Sequence, residues 1–413
     1  MKNTHNFNRL FPFIVLGSQI TGFRNGKFAL LLLISLLSLS VKAIDYVTGS
    51  PDGFVTYNYN LTGGNGGTVV NVFTASGLAD ALDTEGKVIV LVNGEIQISS
   101  ELSCRSHKTI VGVGNNAVIR GQGIALNKRE NVIFQNIHFM QSGDDLIKLN
   151  NSTHVWVDHC SFSDGGADPS SSDFDGTLDI CKGSDFITVS YCRFFNHSKN
   201  ILMSSSDGSG NSDTDKLRTT FHHNHFEGTF HRNPRVRFGI VHVYNNYYTG
   251  NSIYSIASCE NAKVLVEDNY FENCPHPGYG KSGYADSDAG FLWTRGTNIF
   301  VNSNETEFLS ELNAPPANPA VSYKPEDYYA YTSVDANLIP DVVLLKAGAG
   351  KLSDENQTAI ETISCKKGAI ASETIYTVSG VPVKTLSGKG VYIKKTVYEN
   401  GDCETVKFIS TKL

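Results

Sequence analysis

Val132-Ile-Phe-Gln-Asn-Ile-His-Phe139, Val155-Trp-Val-Asp-His-Cys-Ser-Phe162 and Ile187-Thr-Val-Ser-Tyr-Cys-Arg-Phe194 align without gaps. So do Thr219-Thr-Phe-His-His-Asn-His-Phe226, Val241-His-Val-Tyr-Asn-Asn-Tyr-Tyr248 and Val264-Leu-Val-Glu-Asp-Asn-Tyr-Phe271. Their starts are 23, 32, 32, 22 and 23 residues apart, and Thr109-Ile-Val-Gly lies another 23 upstream. Each unit alternates β-formers with other residues, then has a polar turn and an aromatic, which is period-two strand chemistry. A unit this short cannot hold a helix pair but suits one coil of a solenoid. Stacked coils would place Asn224, Asn246 and Asn269 in one column, preceded by Cys160 and Cys192. Phe139, Phe162, Phe194, Phe226, Tyr248 and Phe271 would form a second. Both columns read as structural. The Leu-x-x-Leu-x-Leu pattern of a leucine-rich repeat is absent, so the fold expected is an all-β parallel β-helix.

Composition agrees. The 413 residues include 38 Gly, 23 Phe and 18 Tyr against 3 Met, which favours strands and turns. A net charge of −7 gives no basic field for nucleic acid. Arg24 and Lys27 precede a 14-residue apolar run, Phe28 to Val41, that ends before Ala43. This describes a secretory signal over 1–43. A membrane anchor needs about 20 apolar residues, so no span is expected after signal removal. Export permits disulfides among the eight cysteines, with no pairing selected by the sequence. No CxxC pair suggests zinc.

Two of the gaps exceed the period by about ten residues, and insertions in a solenoid emerge as side loops. Polar chemistry collects there. Asp144 and Asp145 precede Leu-Ile-Lys-Leu, and Asp173, Asp175 and Asp179 fall in Ser-Ser-Asp-Phe-Asp-Gly-Thr-Leu-Asp. Asp175 and Asp179 share one face of an extended strand, and Asp145 is one coil earlier. Such carboxylates coexist only with a cation or with raised pKa values, and oxygen-only ligands favour calcium. A solvated acidic loop is the plain alternative. Lys199, Arg232, Arg235 and Arg237 form a basic cluster, which calls for an anionic ligand or an ion-pair network with the acids. His222, His223, His225, His231 and His242 read as structural, with His223 and His225 on one face and His222 on the other. Asp158 and His159 read as turn hydrogen-bonders near the site.

These motifs taken together resemble the signature run of the pectate lyases, polysaccharide lyase family 1. The run comprises Val155-Trp-Val-Asp-His159, Asp175-Gly-Thr-Leu-Asp-Ile180, Ile187-Thr-Val-Ser190, His197-Ser-Lys199, Arg232-Asn-Pro-Arg-Val-Arg-Phe-Gly239 and Val241-His-Val-Tyr-Asn-Asn246. The resemblance extends from about Gly63 to the Ala347–Gly350 run. It implies a right-handed parallel β-helix over 44–350 that cleaves polygalacturonate by β-elimination. Asp145, Asp175 and Asp179 match the family's calcium ligands, Arg232 its general base, and Lys199 and Arg237 its holders of substrate carboxylate. Arg235, on the same strand face as Arg237, joins the expected substrate-binding set. Gly143 stands where some members carry a further acid, which leaves a second ion in doubt. An arginine base, with an ordinary pKa of about 12.5 or more, predicts activity that rises well into alkaline pH.

Three rival readings stay open. A polygalacturonase would use two carboxylates and water, but gives no reason for Lys199 and the arginines. A pectin lyase on methylated substrate would not need the Asp175/Asp179 pair. A non-catalytic polysaccharide-binding solenoid would bind without turnover. Residues 351–413 read as a small C-terminal β-module with short strands. They resemble the sorting domains of secreted Bacteroidetes proteins, or form a plain accessory module. The expected molecule is a secreted monomer that acts on pectin or polygalacturonate.

Overall fold

The computed structural model describes residues 46–164, 174–315, 322–352, 370–378, 381–384, 390–398 and 403–410. The signal segment, Asp173 and Cys365 lie outside these. Among the described residues, three parallel sheets of ten, nine and eight strands run the length of the chain from Thr68 to Val301. Each coil contributes one strand to each sheet in turn. Parallel strands joined by such crossovers wind right-handed, and neighbouring coils lie about 4.8 Å apart.

The register of the first sheet follows the ungapped alignment. Val132, Val155, Ile187, Thr219, Val241 and Val264 are successive partners. The sheet extends beyond the repeats read in the sequence, through Thr68–Val72 and Val88–Val92 at one end and Phe291–Arg295 at the other. The fifth residue of every unit (Asn136, His159, Tyr191, His223, Asn245, Asp268) has φ between +46° and +60°. One left-handed residue therefore turns each coil from the first sheet into the second, a conformation to which Asn, Asp and His are well suited. The same turn breaks strict alternation. His222 and His223 are brought together, Nδ1 to Nδ1 at 2.9 Å, where period two predicts opposite faces.

The two predicted columns form the core. From Phe139 to Phe271 and on to Phe300, successive rings stack with centroids 4.6–5.4 Å apart and planes within 11°. Stacking of these rings, fully buried from Phe139 to Phe271, adds to the area term at each step. In the other column each Asn Oδ1 accepts from the backbone N–H and the amide of the residue one coil earlier: Asn224 to Asn246, then Asn246 to Asn269. Asn298 extends the ladder by one rung. Replacing Asn246 by Ala leaves the buried Asn224 N–H without its acceptor and takes one of two acceptors from Asn224 Nδ2, which keeps Val189 O. A buried donor without an acceptor costs about 1–3 kcal/mol. Chemical denaturation of Asn246→Ala should therefore show a loss of about 1–3 kcal/mol with the solenoid fold retained.

The outer face of the first sheet is covered by chain from both ends. Phe54 N–H donates to Thr220 Oγ1 at 3.0 Å, and Gly64 N–H to Thr109 Oγ1 at 3.0 Å. Gly53 (φ +73°) lies so close that a Cβ would stand 2.6 Å from Thr188 Oγ1, so only glycine fits there. Further along, Glu267 accepts from His242 Nε2 (3.1 Å), Tyr331 OH (2.8 Å) and Arg295 Nη2 (3.2 Å). Burial alone would raise its pKa, but these donors hold it down at about 2, below the ordinary 4.5. A depressed carboxylate stabilises the fold above its ordinary pKa and loses that contribution as pH falls through the lowered one. Glu267→Gln should therefore cost on the order of 2–3 kcal/mol at pH 7. The gap to the unmodified protein should narrow between about pH 4.5 and 2 in urea titrations.

Six cysteines (104, 160, 181, 192, 259 and 274) are buried free thiols. Among the described residues no helix is long and apolar enough to cross a membrane. The C-terminal strands Ile370–Thr377, Pro382–Val383, Gly390–Tyr398 and Cys403–Ser410 form an antiparallel sheet.

Candidate active site

The site residues enter where the chain passes from the second sheet to the third. Asp145 precedes strand Ile147–Asn150, Asp175 precedes Leu178–Cys181, Lys199 precedes Ile201–Met203 and Arg232 precedes Arg235–Arg237. These strands are consecutive neighbours in the third sheet. The turns bond to one another as well: Leu146 N–H to Gly176 O (3.1 Å), Thr177 N–H to Asn200 O (2.9 Å) and Asn200 N–H to His231 O (3.2 Å). Residues 24 to 33 apart in sequence (Asp145 and Asp175, Asp175 and Lys199, Lys199 and Arg232) thus become neighbours one coil apart.

The acids converge. Oxygens of Asp144, Asp145 and Asp175 lie within 4.8 Å of one another. Asp145 Oδ1 accepts from Gly176 N–H at 3.2 Å. A Cβ on Gly176 would stand 2.6 Å from Asp145 Oδ1 and 2.9 Å from Asp179 Oδ1, so glycine leaves open the space on which both oxygens close. Asp179 Oδ1 is buried with no hydrogen-bond partner. Burial and the adjacent carboxylates raise the pKa of Asp145 to about 6 and that of Asp179 well above its ordinary value. A buried carboxylate oxygen without a donor, beside two more carboxylates, fits a hard divalent cation with oxygen ligands.

Cations border this cradle. Lys199 Nζ is 3.3 Å from Asp175 Oδ1. Arg232, at φ +64° in the left-handed region, is held at its carbonyl by Ile201 N–H (2.7 Å). Its charge acts on Asp179, and its Nε is buried without a partner. His231 beside it is pushed down to about 4 by burial and by Arg232, and is neutral at pH 7. Arg235 and Arg237 share one strand face, as their spacing predicts, and a loop lies against them. Arg235 Nη2 donates to Ser287 Oγ (2.7 Å) and Tyr284 O (3.3 Å). Arg237 Nε pairs with Asp207, and its Nη1 donates to Ser204 O (3.2 Å).

Several site features are absent from the sequence reading. Lys148 Nζ sits 2.5 Å from Asp144 Oδ2 and 3.2 Å from Glu101 Oε2. Burial opposes its charge, but the hydrogen bonds it donates to Asp144 and Glu101 hold its pKa above the ordinary lysine value. Lys148 is the register partner of Asp179, a signal available from aligning Ile147-Lys-Leu with Leu178-Asp-Ile. His197 joins Asp164 through Nδ1 and the Asp175 carbonyl through Nε2 (2.6 Å), bracing the loop that carries Asp175. Asp158 and His159 do hydrogen-bond at a turn, Asp158 with Gln135, His159 and Ser190. That turn joins the first sheet to the second, so they are not at the corner that holds the acids.

A β-helix with a carboxylate cradle and cationic side chains on consecutive coils of one lateral face defines a class of solenoid proteins equipped to hold a divalent cation beside an anionic ligand. A family model described as "Pectate lyase" matches residues 28–352. A pectate trisaccharide-lyase of Thermotoga sp. (strain RQ2) is 36% identical over 371 residues, covering 79% of this chain and 96% of that protein. Pectate lyase E of Dickeya chrysanthemi is 35% identical over 286 residues, covering 57% and 74%. Among solved structures, a pectate lyase from Bacillus sp. N165 in complex with trigalacturonate aligns with a TM-score of 0.63 at 27% identity, over 74% of this chain and all of that one. The chain belongs to the pectate lyase family and is a polysaccharide lyase.

Proposed function

We propose that this protein cleaves α-1,4-polygalacturonate by calcium-dependent β-elimination and releases oligogalacturonides with a 4,5-unsaturated end. The observation that carries this reading is the pairing of the unpartnered Asp179 Oδ1 and Asp145 Oδ1 around Gly176 with Lys199 and Arg232 on the next two coils. Asp145, Asp175 and Asp179 would hold Ca²⁺. When bound, the ion lets these carboxylates ionise together and offsets charge that grows on the substrate carboxylate.

The C5 proton of a galacturonate is adjacent to a carboxylate and weakly acidic. Lys199 and Arg237, with Arg235, would hold substrate carboxylates along this lateral face, the two arginines exchanging their bonds to Asp207 and Ser287 for the uronate. Arg232, as the uncharged guanidine, takes the C5 proton and becomes the guanidinium, which is why turnover should rise into alkaline pH. The C–H electron pair becomes the C4–C5 double bond, the C4–O4 bond breaks, and the departing O4 takes a proton from solvent. Export of the enzyme is supported by the basic-flanked apolar run at 28–41.

The test is polygalacturonate with and without chelator, followed for unsaturated ends. They should appear in calcium, vanish in chelator and return on adding calcium back. Cleavage without unsaturation would identify a polygalacturonase. Unsaturated product from methylated substrate in chelator would identify a pectin lyase. Binding without turnover would identify a non-catalytic solenoid. The lengths of the products show whether this chain shares the trisaccharide release named for its Thermotoga relative.

A further inference from the structure

We propose that Lys148 is a built-in counter-cation that fills the outer half of the acidic cluster, so that the site takes one divalent ion and not two. Its ammonium is shared by Asp144 Oδ2 (2.5 Å), Glu101 Oε2 (3.2 Å) and Asp145 Oδ2 (3.6 Å). Asp145 is thereby divided: Oδ2 faces the lysine, while Oδ1 turns inward to Gly176 N–H and the space shared with Asp179. Asp144 is committed outward in the same way, with Oδ2 on Lys148 and Oδ1 accepting from Asp145 N–H at 3.0 Å.

The fold makes room for this arrangement. Glu101 lies two coils before Lys148, and the intervening register partner of Lys148 is the short side chain of Ala125. The lysine can therefore lean back over that coil. Charge balance agrees. Glu101, Asp144, Asp145, Asp175 and Asp179 carry five negative charges when ionised, and Lys148, Lys199 and Arg232 return three. One divalent ion neutralises the remaining two. Without Lys148 three remain, more than one such ion neutralises.

The inference rests on the calcium reading above, and the test separates the two. Calcium chloride is titrated calorimetrically into the full chain and into Lys148→Gln. The expected result is one ion per chain for the unmodified protein and two for Lys148→Gln. In chelator, the variant should also melt below the unmodified protein, with calcium restoring it. Two ions in the unmodified protein would overturn the proposal, as would a single ion in Lys148→Gln at any affinity. No binding to the unmodified protein would instead sink the calcium reading itself. If Lys148→Gln does not fold, Lys148→Met is titrated in its place and the same counts apply.

Discussion

Arg232→Lys should lower turnover on polygalacturonate by about a thousandfold while calcium affinity stays unchanged. A positioned base contributes about 10²–10⁴ in rate. Lysine keeps the charge but is shorter and loses the planar fork, so its nitrogen would stop short of C5. Arg232 is not itself one of the cradle's ligands, and lysine keeps the charge that acts on Asp179. Arg232 precedes the strand two coils beyond that of Asp179, and its backbone is fixed by Ile201 N–H and its left-handed φ independently of the side chain. A side-chain exchange therefore leaves the Asp145/Asp179 pair in place. Single-turnover kinetics together with calorimetry in calcium separate the two effects. Turnover close to that of the unmodified enzyme would remove Arg232 from the role of base.

Asp179→Asn should act in opposite directions with and without calcium. With calcium, removing one charged ligand should weaken the ion by at least about a hundredfold, since even outer-shell partners of a metal cost 10–100-fold. Without calcium, the ionised Asp179 is a liability. Its pKa is raised by burial and by Asp145, so in the folded state its charge opposes folding. A carboxylate with a raised folded pKa favours the fold at low pH and loses that favour as pH rises through the raised value. The chelated, unmodified protein should therefore lose stability from about pH 4 upward, past the Asp145 pKa of about 6. Asp179→Asn in chelator should melt higher than the unmodified protein at pH 7, and lower in saturating calcium. Melting curves in the two conditions should cross in rank. A variant destabilised in both would mark Asp179 as an ordinary structural residue.

The solenoid was legible because a parallel coil converts sequence period into register. Val132, Val155 and Ile187 align in the sequence and are partners in the sheet. The aromatic and Asn columns were visible for the same reason. Their last members, Phe300 and Asn298, were not, because one extra residue in the turn breaks the ungapped match: the register partners Val264 and Leu292 are 28 residues apart, Asn269 and Asn298 are 29. Asp145, Asp175, Asp179, Lys199 and Arg232 stood out by charge and by resemblance to the family motifs, and they fall on four consecutive coils.

What stayed hidden depends on contacts with no period. Asp207 and Ser287 both meet Arg237, yet are 80 residues apart and lie outside the strands of the three sheets. Lys148 reads as one polar residue of a short strand until its partners Glu101 and Asp144 are placed. The His222–His223 contact follows from one left-handed residue that alternation does not foresee.

The most direct test is a crystal structure of Arg232→Lys with calcium and a galacturonate oligomer. The account predicts an ion about 2.3–2.6 Å from oxygens of Asp145, Asp175 and Asp179 and of one uronate carboxylate. The C5 of that sugar should face residue 232, and Lys199 should contact a carboxylate of the same chain. An oligomer lying on another face of the coil, or an ion held away from Asp179, would contradict it.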